Sequence, residues 1–361
     1  MALVAGNHFQ FILEVGILIF SIVFFTLNIA PISLSMVTLL SLILSVGFAS
    51  IFGIDLIILI LTGGLGQNEF IHPFGSIALL AVITGFASLK VMEKSGVKVQ
   101  KLRTFFIGIT ILITISGALM HRTFLIMWVV GLYFGFLIIS KSFREKSLIS
   151  IKQIVMFLGA GICGFIALEV ISEILHMEIF SPLLRLSRLR ENSIDSIKMV
   201  LDNTYLIGHN PESTYWKSAG LGFADGYISL PFSLILMFGL PFPLFFGVLV
   251  TKKDQIDYFL PGIMGYAYDF GYLGLVVLMA FTIVTLLVGL KLLTIYRRKR
   301  EKNNKTYLGR EVLLIGSLTA FIAQALIGLF VSNRSINGIA LTTFIFLASM
   351  VLAHAVSLKR E

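Results

Sequence analysis

Long apolar runs separated by short polar breaks make up most of the chain. About 20 consecutive apolar residues is the length a helix needs to cross the hydrocarbon core of a bilayer. Runs of this kind fall near 11–30, 75–92, 104–120, 122–140, 153–175, 269–294, 312–332 and 336–356. A further stretch, 33–65, is too long for one crossing and tight for two. It is read as two spans, 33–49 and 51–66, with Gly47 and Gly53 near the break and Asp55 just beyond it as an intramembrane acid. The expected fold class is all-α: a polytopic integral membrane protein of about ten transmembrane helices, forming one membrane domain over residues 1–361.

Composition agrees with the pattern. Of 361 residues, 57% are hydrophobic and 13% charged, whereas a soluble domain is about half apolar and about a quarter charged. Too little polar side chain is present to coat a water-soluble globule. The single cysteine, Cys163, lies inside an apolar run and excludes both an intramolecular disulfide and a cysteine-based metal site. The first ten residues lack a basic segment and the first apolar run is long enough to span, so no cleavable signal peptide is expected.

The net charge of +9 would suit a nucleic-acid partner, but the charges flank apolar spans and so report topology instead. Most of the basic residues fall in four groups: Lys90 to Arg103, Lys141 to Lys152, Lys291 to Arg310, and Lys359 with Arg360. Assigned to the cytoplasm, these groups put both termini inside and leave 177–268 as a large non-cytoplasmic loop region. The loop begins and ends on the same face, so the apolar stretch 228–250, with Pro231, Pro241 and Pro243, is expected as a re-entrant or interfacial hairpin. Long loops are usually functional, which directs the search for a site to the outer face of a cell membrane.

Four constellations on that face carry candidate chemistry. Ser181-Pro182 opens an amphipathic helix in which Arg185 and Arg188 share one face, with Arg190 close behind. Paired guanidinium groups grip phosphate or diphosphate well, although the same arginines would also serve to snorkel to lipid headgroups. Arg122 and Arg334 stand at the outer ends of helices, where topology disfavours cations and an anionic partner is the usual reason for one. The stretches 206–216 and 220–227 combine Gly-rich turns with His209, Glu212 and Asp225 as bases or sugar-binding groups, and Tyr215 and Trp216 as stacking surfaces for a sugar ring. These features would also suit a capped surface loop. Asp269 heads the motif Asp269-Phe-Gly-Tyr-Leu-Gly274 at the start of a late span, where a carboxylate complements the helix dipole. No HxxxH or DxD cluster supports a metal.

Four stretches together resemble the Wzy-type oligosaccharide repeat-unit polymerases of the O-antigen polymerase and ligase group. They are Ser116-Gly-Ala-Leu-Met-His-Arg-Thr123, the arginine helix 183–190, the loop 208–227, and Asp269 to Gly274. With the span count and the large outer loop, the likeness covers the chain from about 104 to 356. The resemblance implies a metal-independent glycosyltransferase with no cofactor, acting on a polyprenyl-diphosphate-linked oligosaccharide among the membrane lipids. Flippase and chain-length proteins would be its partners.

In this reading Arg122, Arg185, Arg188 and Arg334 bind the substrate diphosphate and stabilise charge developing on it as it leaves. His209 or Asp225 is the base that deprotonates the attacking sugar hydroxyl, with His209 first because its ordinary pKa is near neutral. Glu212, Tyr215, Trp216 and Asp269 contact sugar. Three other readings stay open: an O-antigen-type ligase that passes the glycan to another acceptor, a transporter or flippase for the lipid-linked glycan, and a non-catalytic scaffold of an envelope assembly.

Overall fold

The computed structural model describes residues 32–61, 71–120, 122–140, 262–301, 307–330 and 338–359, with isolated positions among 19–27, 166–174 and 202–206. Among these residues there are helices and short turns and no strand. In chain order the helices are α1 (Leu34–Leu61), α2 (Ile71–Lys94), α3 (Gln100–Met120), α4 (Arg122–Ile139), α5 (Gly262–Glu301), α6 (Tyr307–Ala323) and α7 (Gly338–Lys359). A π-helical turn, Gln324–Leu329, continues directly from α6.

Five segments are long and apolar enough to cross a membrane: Leu34–Ile54, Gly75–Lys94, Gln100–Ala118, Gly271–Arg300 and Tyr307–Leu329. Phe124–Ile139 and Thr343–Lys359 are shorter apolar helices. This is the architecture of a helical, membrane-embedded protein. The expected spans at 11–30 and 153–175 fall largely outside the described residues, as do the amphipathic arginine helix and the hairpin at 228–250.

Helices α2 and α6 form the centre. Leu79, Val82 and Ile83 of α2 and Val312, Leu314, Leu318 and Phe321 of α6 are fully buried. Without a hydrophobic drive between helices in lipid, close backbone approach and van der Waals fit hold such a bundle together. Small residues supply that fit here. Gly131 and Gly135 of α4 lie directly against Leu79 and Ile83, and a Cβ at Gly316 would meet the Leu80 carbonyl oxygen at 3.0 Å.

Several threonine hydroxyls in the helices are satisfied locally. Thr38, Thr110, Thr114 and Thr282 each donate to the carbonyl one turn back. The Trp128 indole N–H donates to Thr114 Oγ1 at 2.8 Å, tying α4 to α3.

The helices run alternately up and down from α1 to α4 and from α5 to α7, with α4 and α5 pointing the same way. The starts of α1, α3 and α6 and the ends of α2, α4, α5 and α7 meet at one end of the bundle. There a Cβ at Gly309 would meet the Ile32 carbonyl oxygen at 2.6 Å, and Arg103 pairs with Glu93 at 2.6 Å. Arg297 donates to the Ile138 carbonyl at 2.6 Å, and the Tyr296 hydroxyl lies 3.2 Å from His354 Nδ1. Basic residues separated by 200 positions in the sequence thus gather at one end, as the charge pattern implies.

The first part of the chain departs from expectation. Residues 33–49 and 51–66 do not form two spans: α1 is one helix of 28 residues, uninterrupted at Gly47 and Gly53. Its length, about 42 Å at about 1.5 Å per residue, exceeds the apolar core of a bilayer, and its candidate span is Leu34–Ile54. Ser33 caps it, accepting from the Met36 amide at 3.2 Å. Nothing lies within 4 Å of a Cβ at Gly47, so this glycine has neither a turn nor a close neighbour to serve. One crossing instead of two puts Ser33 at the basic end, where the two-span reading would have it at the other.

The α2–α3 connection is tight. Gly96 has φ 82°, its amide bonds to the Glu93 carbonyl at 3.0 Å, and the Val97 amide bonds to the Met92 carbonyl at 3.1 Å. This is a Schellman cap, which needs a residue tolerant of left-handed backbone. Gly96→Ala should therefore lower stability by about 1 kcal/mol, read as a downward shift in the thermal unfolding midpoint of the purified protein; an unchanged midpoint would show that the cap contributes nothing.

Candidate functional site at the helix break

Helix α5 is not continuous. At Gly271 the backbone takes φ 74° and ψ 173°, a region open to glycine and strongly unfavourable for other residues. The break divides α5 into a short helix, Gly262 to Phe270, and a long apolar one that runs to the basic end. Two amides freed by the break find partners in a distant part of the chain: Tyr272 N–H donates to the Tyr205 carbonyl at 3.1 Å and Leu273 N–H to the Leu206 carbonyl at 3.2 Å. In a membrane such groups must be satisfied by protein or by a water-filled cavity. Residues 204–206 do so here, and they lead directly into the loop 208–227 singled out in the sequence.

The short half of α5 is also held at its start. The Ile263 amide donates to the Phe330 carbonyl at 3.2 Å, just past the π-helical turn. Within that turn Phe330 N–H reaches back five residues to the Ala325 carbonyl. Such widened turns occur frequently at functional sites. Gln324 opens this one and is buried, its side chain folded over Gly328. Tyr266 of the short helix is buried as well.

The break, the π-helical turn and the start of α4 lie at the end of the bundle opposite the basic groups. Of the sequence-predicted residues, Arg122 is the first residue of α4 and Asp269 lies two residues before the break, so the fold brings their backbones to this same end. Asp269 does not head the late helix as expected; it ends the short half-helix, and the long one starts after Gly271. His209, Asp225, Arg185, Arg188, Arg334, Glu212, Tyr215 and Trp216 lie outside the described residues. Among the described residues no three His, Cys, Asp or Glu side chains are grouped as a metal site would require.

Two features escaped the sequence reading. Gln324 is one, and its signal was a lone amide in an otherwise apolar span. The other is a buried polar network at the basic end. Glu311 accepts from Arg300 Nη1 at 2.6 Å and pairs with Arg297 at 3.7 Å. Arg310, 2% exposed, stacks over the ring of Tyr307, whose hydroxyl accepts a hydrogen bond from Lys299 at 2.9 Å. His354 is fully buried beside Tyr296. One acid among many bases at a helix start was the visible clue. The network fastens the end of α5 to the start of α6.

No known protein family, curated protein or solved structure matches the chain.

Two substitutions separate these regions. Gly271→Ala should weaken the break by about 1–3 kcal/mol and speed hydrogen exchange at the Tyr272 and Leu273 amides; unchanged protection there would mean the bonds to Tyr205 and Leu206 do not depend on it. Glu311→Gln should cost roughly 2 kcal/mol, less than for a fully buried pair because both arginines are about a third exposed. A denaturation midpoint equal to that of the parent protein would contradict a structural role for this ion pair.

Proposed function

We propose that the protein is a membrane glycosyltransferase that polymerises polyprenyl-diphosphate-linked oligosaccharide repeat units on the outer face of the membrane, building a surface polysaccharide. One observation carries the reading. Two of the four stretches on which the Wzy-type resemblance rests, the Arg122 helix start and the Asp269 to Gly274 break, lie at the same end of the bundle, away from the basic end, and residues 204–206, which precede a third, bond to the break. Chain segments more than 60 residues apart converge where a lipid-linked substrate would present its headgroup and sugars.

The chemistry follows from the residues proposed. Arg122, Arg185, Arg188 and Arg334 neutralise the diphosphate as the glycosidic bond to it breaks, so no metal is required for the leaving group. His209 or Asp225 takes the proton from the acceptor hydroxyl. Glu212, Tyr215, Trp216 and Asp269 hold the sugars. No nucleotide sugar enters the reaction, because the lipid diphosphate is itself the activated donor.

A second reading has its own support. Discontinuous helices with unwound backbone are typical of secondary transporters, and α5 is discontinuous at Gly271. A flippase for the lipid-linked glycan would use the same end of the bundle but form no glycosidic bond.

Charge-removing variants test the first reading. With a lipid-diphosphate-linked repeat unit supplied to the purified protein, Arg185→Ala and Arg122→Ala should each lower the rate of chain extension by about 100-fold or more, the scale on which loss of one charge-stabilising donor acts. Extension at the parent rate in both variants would remove the diphosphate role from these arginines.

A further inference from the structure

The exposed side of the α2–α3 turn combines two chemistries that the bundle itself does not use. Lys94, Lys98 and Lys101 project from eight consecutive residues and are all exposed. Neither Lys98 nor Lys101 has a carboxylate partner among the described residues, and the nearby Glu93 is engaged by Arg103. Between and below the lysines the surface is apolar: Val97 is 47% and Phe105 48% exposed. Phe105 lies one helical turn from Lys101 on the same face of α3, and the face continues through exposed Leu112 and Ile115.

We propose that this turn is a docking site for an anionic phospholipid, with the headgroup phosphate on Lys94, Lys98 and Lys101 and an acyl chain along the Phe105, Leu112 and Ile115 face. Three properties favour a lipid over a free phosphate. The lysines cap an apolar stripe the length of an acyl chain. Val97 sits among them at the level of the headgroup boundary, where a soluble anion would gain nothing from it. The Schellman cap at Gly96 fixes the backbone, so the three charges are presented in one geometry without ordering a loop first. Basic groups at the ends of membrane helices attract anionic headgroups, and the attraction weakens with ionic strength. The site is independent of the glycosyltransferase reading, because it lies at the opposite end of the bundle from the helix break.

The test is lipid binding by the purified full chain in neutral detergent, read by native mass spectrometry, with phosphatidylglycerol and phosphatidylcholine of matched acyl chains as probes. The parent protein should bind phosphatidylglycerol at least about tenfold more tightly, and Lys94→Gln/Lys98→Gln/Lys101→Gln should lose most of that preference. Equal binding of the two lipids, or an unchanged preference in the triple variant, would overturn the proposal. Displacement of the lipid by millimolar inorganic phosphate would overturn it too, showing a plain anion site. If the triple variant fails to fold, the parent protein decides: its preference should fall severalfold between about 50 mM and about 500 mM salt, and a salt-independent preference would contradict the site.

Discussion

A bilayer offers no hydrogen-bond partner to a peptide group, so every amide and carbonyl within it must be paired inside the protein. Most of the described chain meets this by continuous helices. Where a helix is interrupted, at Gly271, the two amides released are taken up by the Tyr205 and Leu206 carbonyls. That pairing joins the long region between residues 175 and 262 to the bundle at a defined point. It also explains why the break is tolerated beside the buried π-helical turn of Gln324–Leu329, whose own carbonyls are displaced by one residue from the regular ladder. The irregular backbone of α5 and α6 is thus concentrated at one end of the molecule and supported by protein there.

Charge divides the bundle in the opposite sense. Among the described residues, the lysines and arginines from Lys90 to Arg103, from Arg297 to Arg310, and at Lys359 lie at the end where α2, α4, α5 and α7 finish. Glu311 is held there by Arg297 and Arg300, so this end is pinned by ion pairs while the other is shaped by backbone irregularity. In the proposed enzyme the division is functional: the basic end fixes orientation in the membrane, and the end carrying the break meets the lipid-linked glycan. The central helices α2 and α6 connect the two through a tightly packed interior, with Gly316 against Thr84 and Leu80.

Run length and flanking charge made α2, α3, α4, α6 and α7 legible in the sequence, because a membrane helix must be both long and apolar and its ends carry the polar residues. Glycine was the point of failure, in both directions. Gly47 and Gly53 read as a break but sit in the continuous α1, where a Cβ would meet nothing within 4 Å at Gly47 and Leu112 at 3.9 Å at Gly53. Gly271 read only as part of the Asp269 to Gly274 motif but takes a positive φ that ends one helix and starts another. Sequence shows that a residue is glycine; only the backbone dihedral shows which use is made of it. The candidate site was legible in part. Residue type and position singled out Arg122 and the Asp269 motif, whose backbones lie at the end away from the basic groups, whereas Gln324 was hidden by the apolar run around it, and the pairing with Tyr205 and Leu206 runs through backbone atoms that carry no sequence signal.

Reaction products from the protein reconstituted in liposomes, supplied on the outer side with a polyprenyl-diphosphate-linked repeat unit, decide most directly between making glycosidic bonds and moving a glycan. A series of products that grow by one repeat unit at a time is the predicted result. Repeat units recovered at their original length, but on the other side of the membrane, would contradict the account and identify the broken helix as part of a transporter.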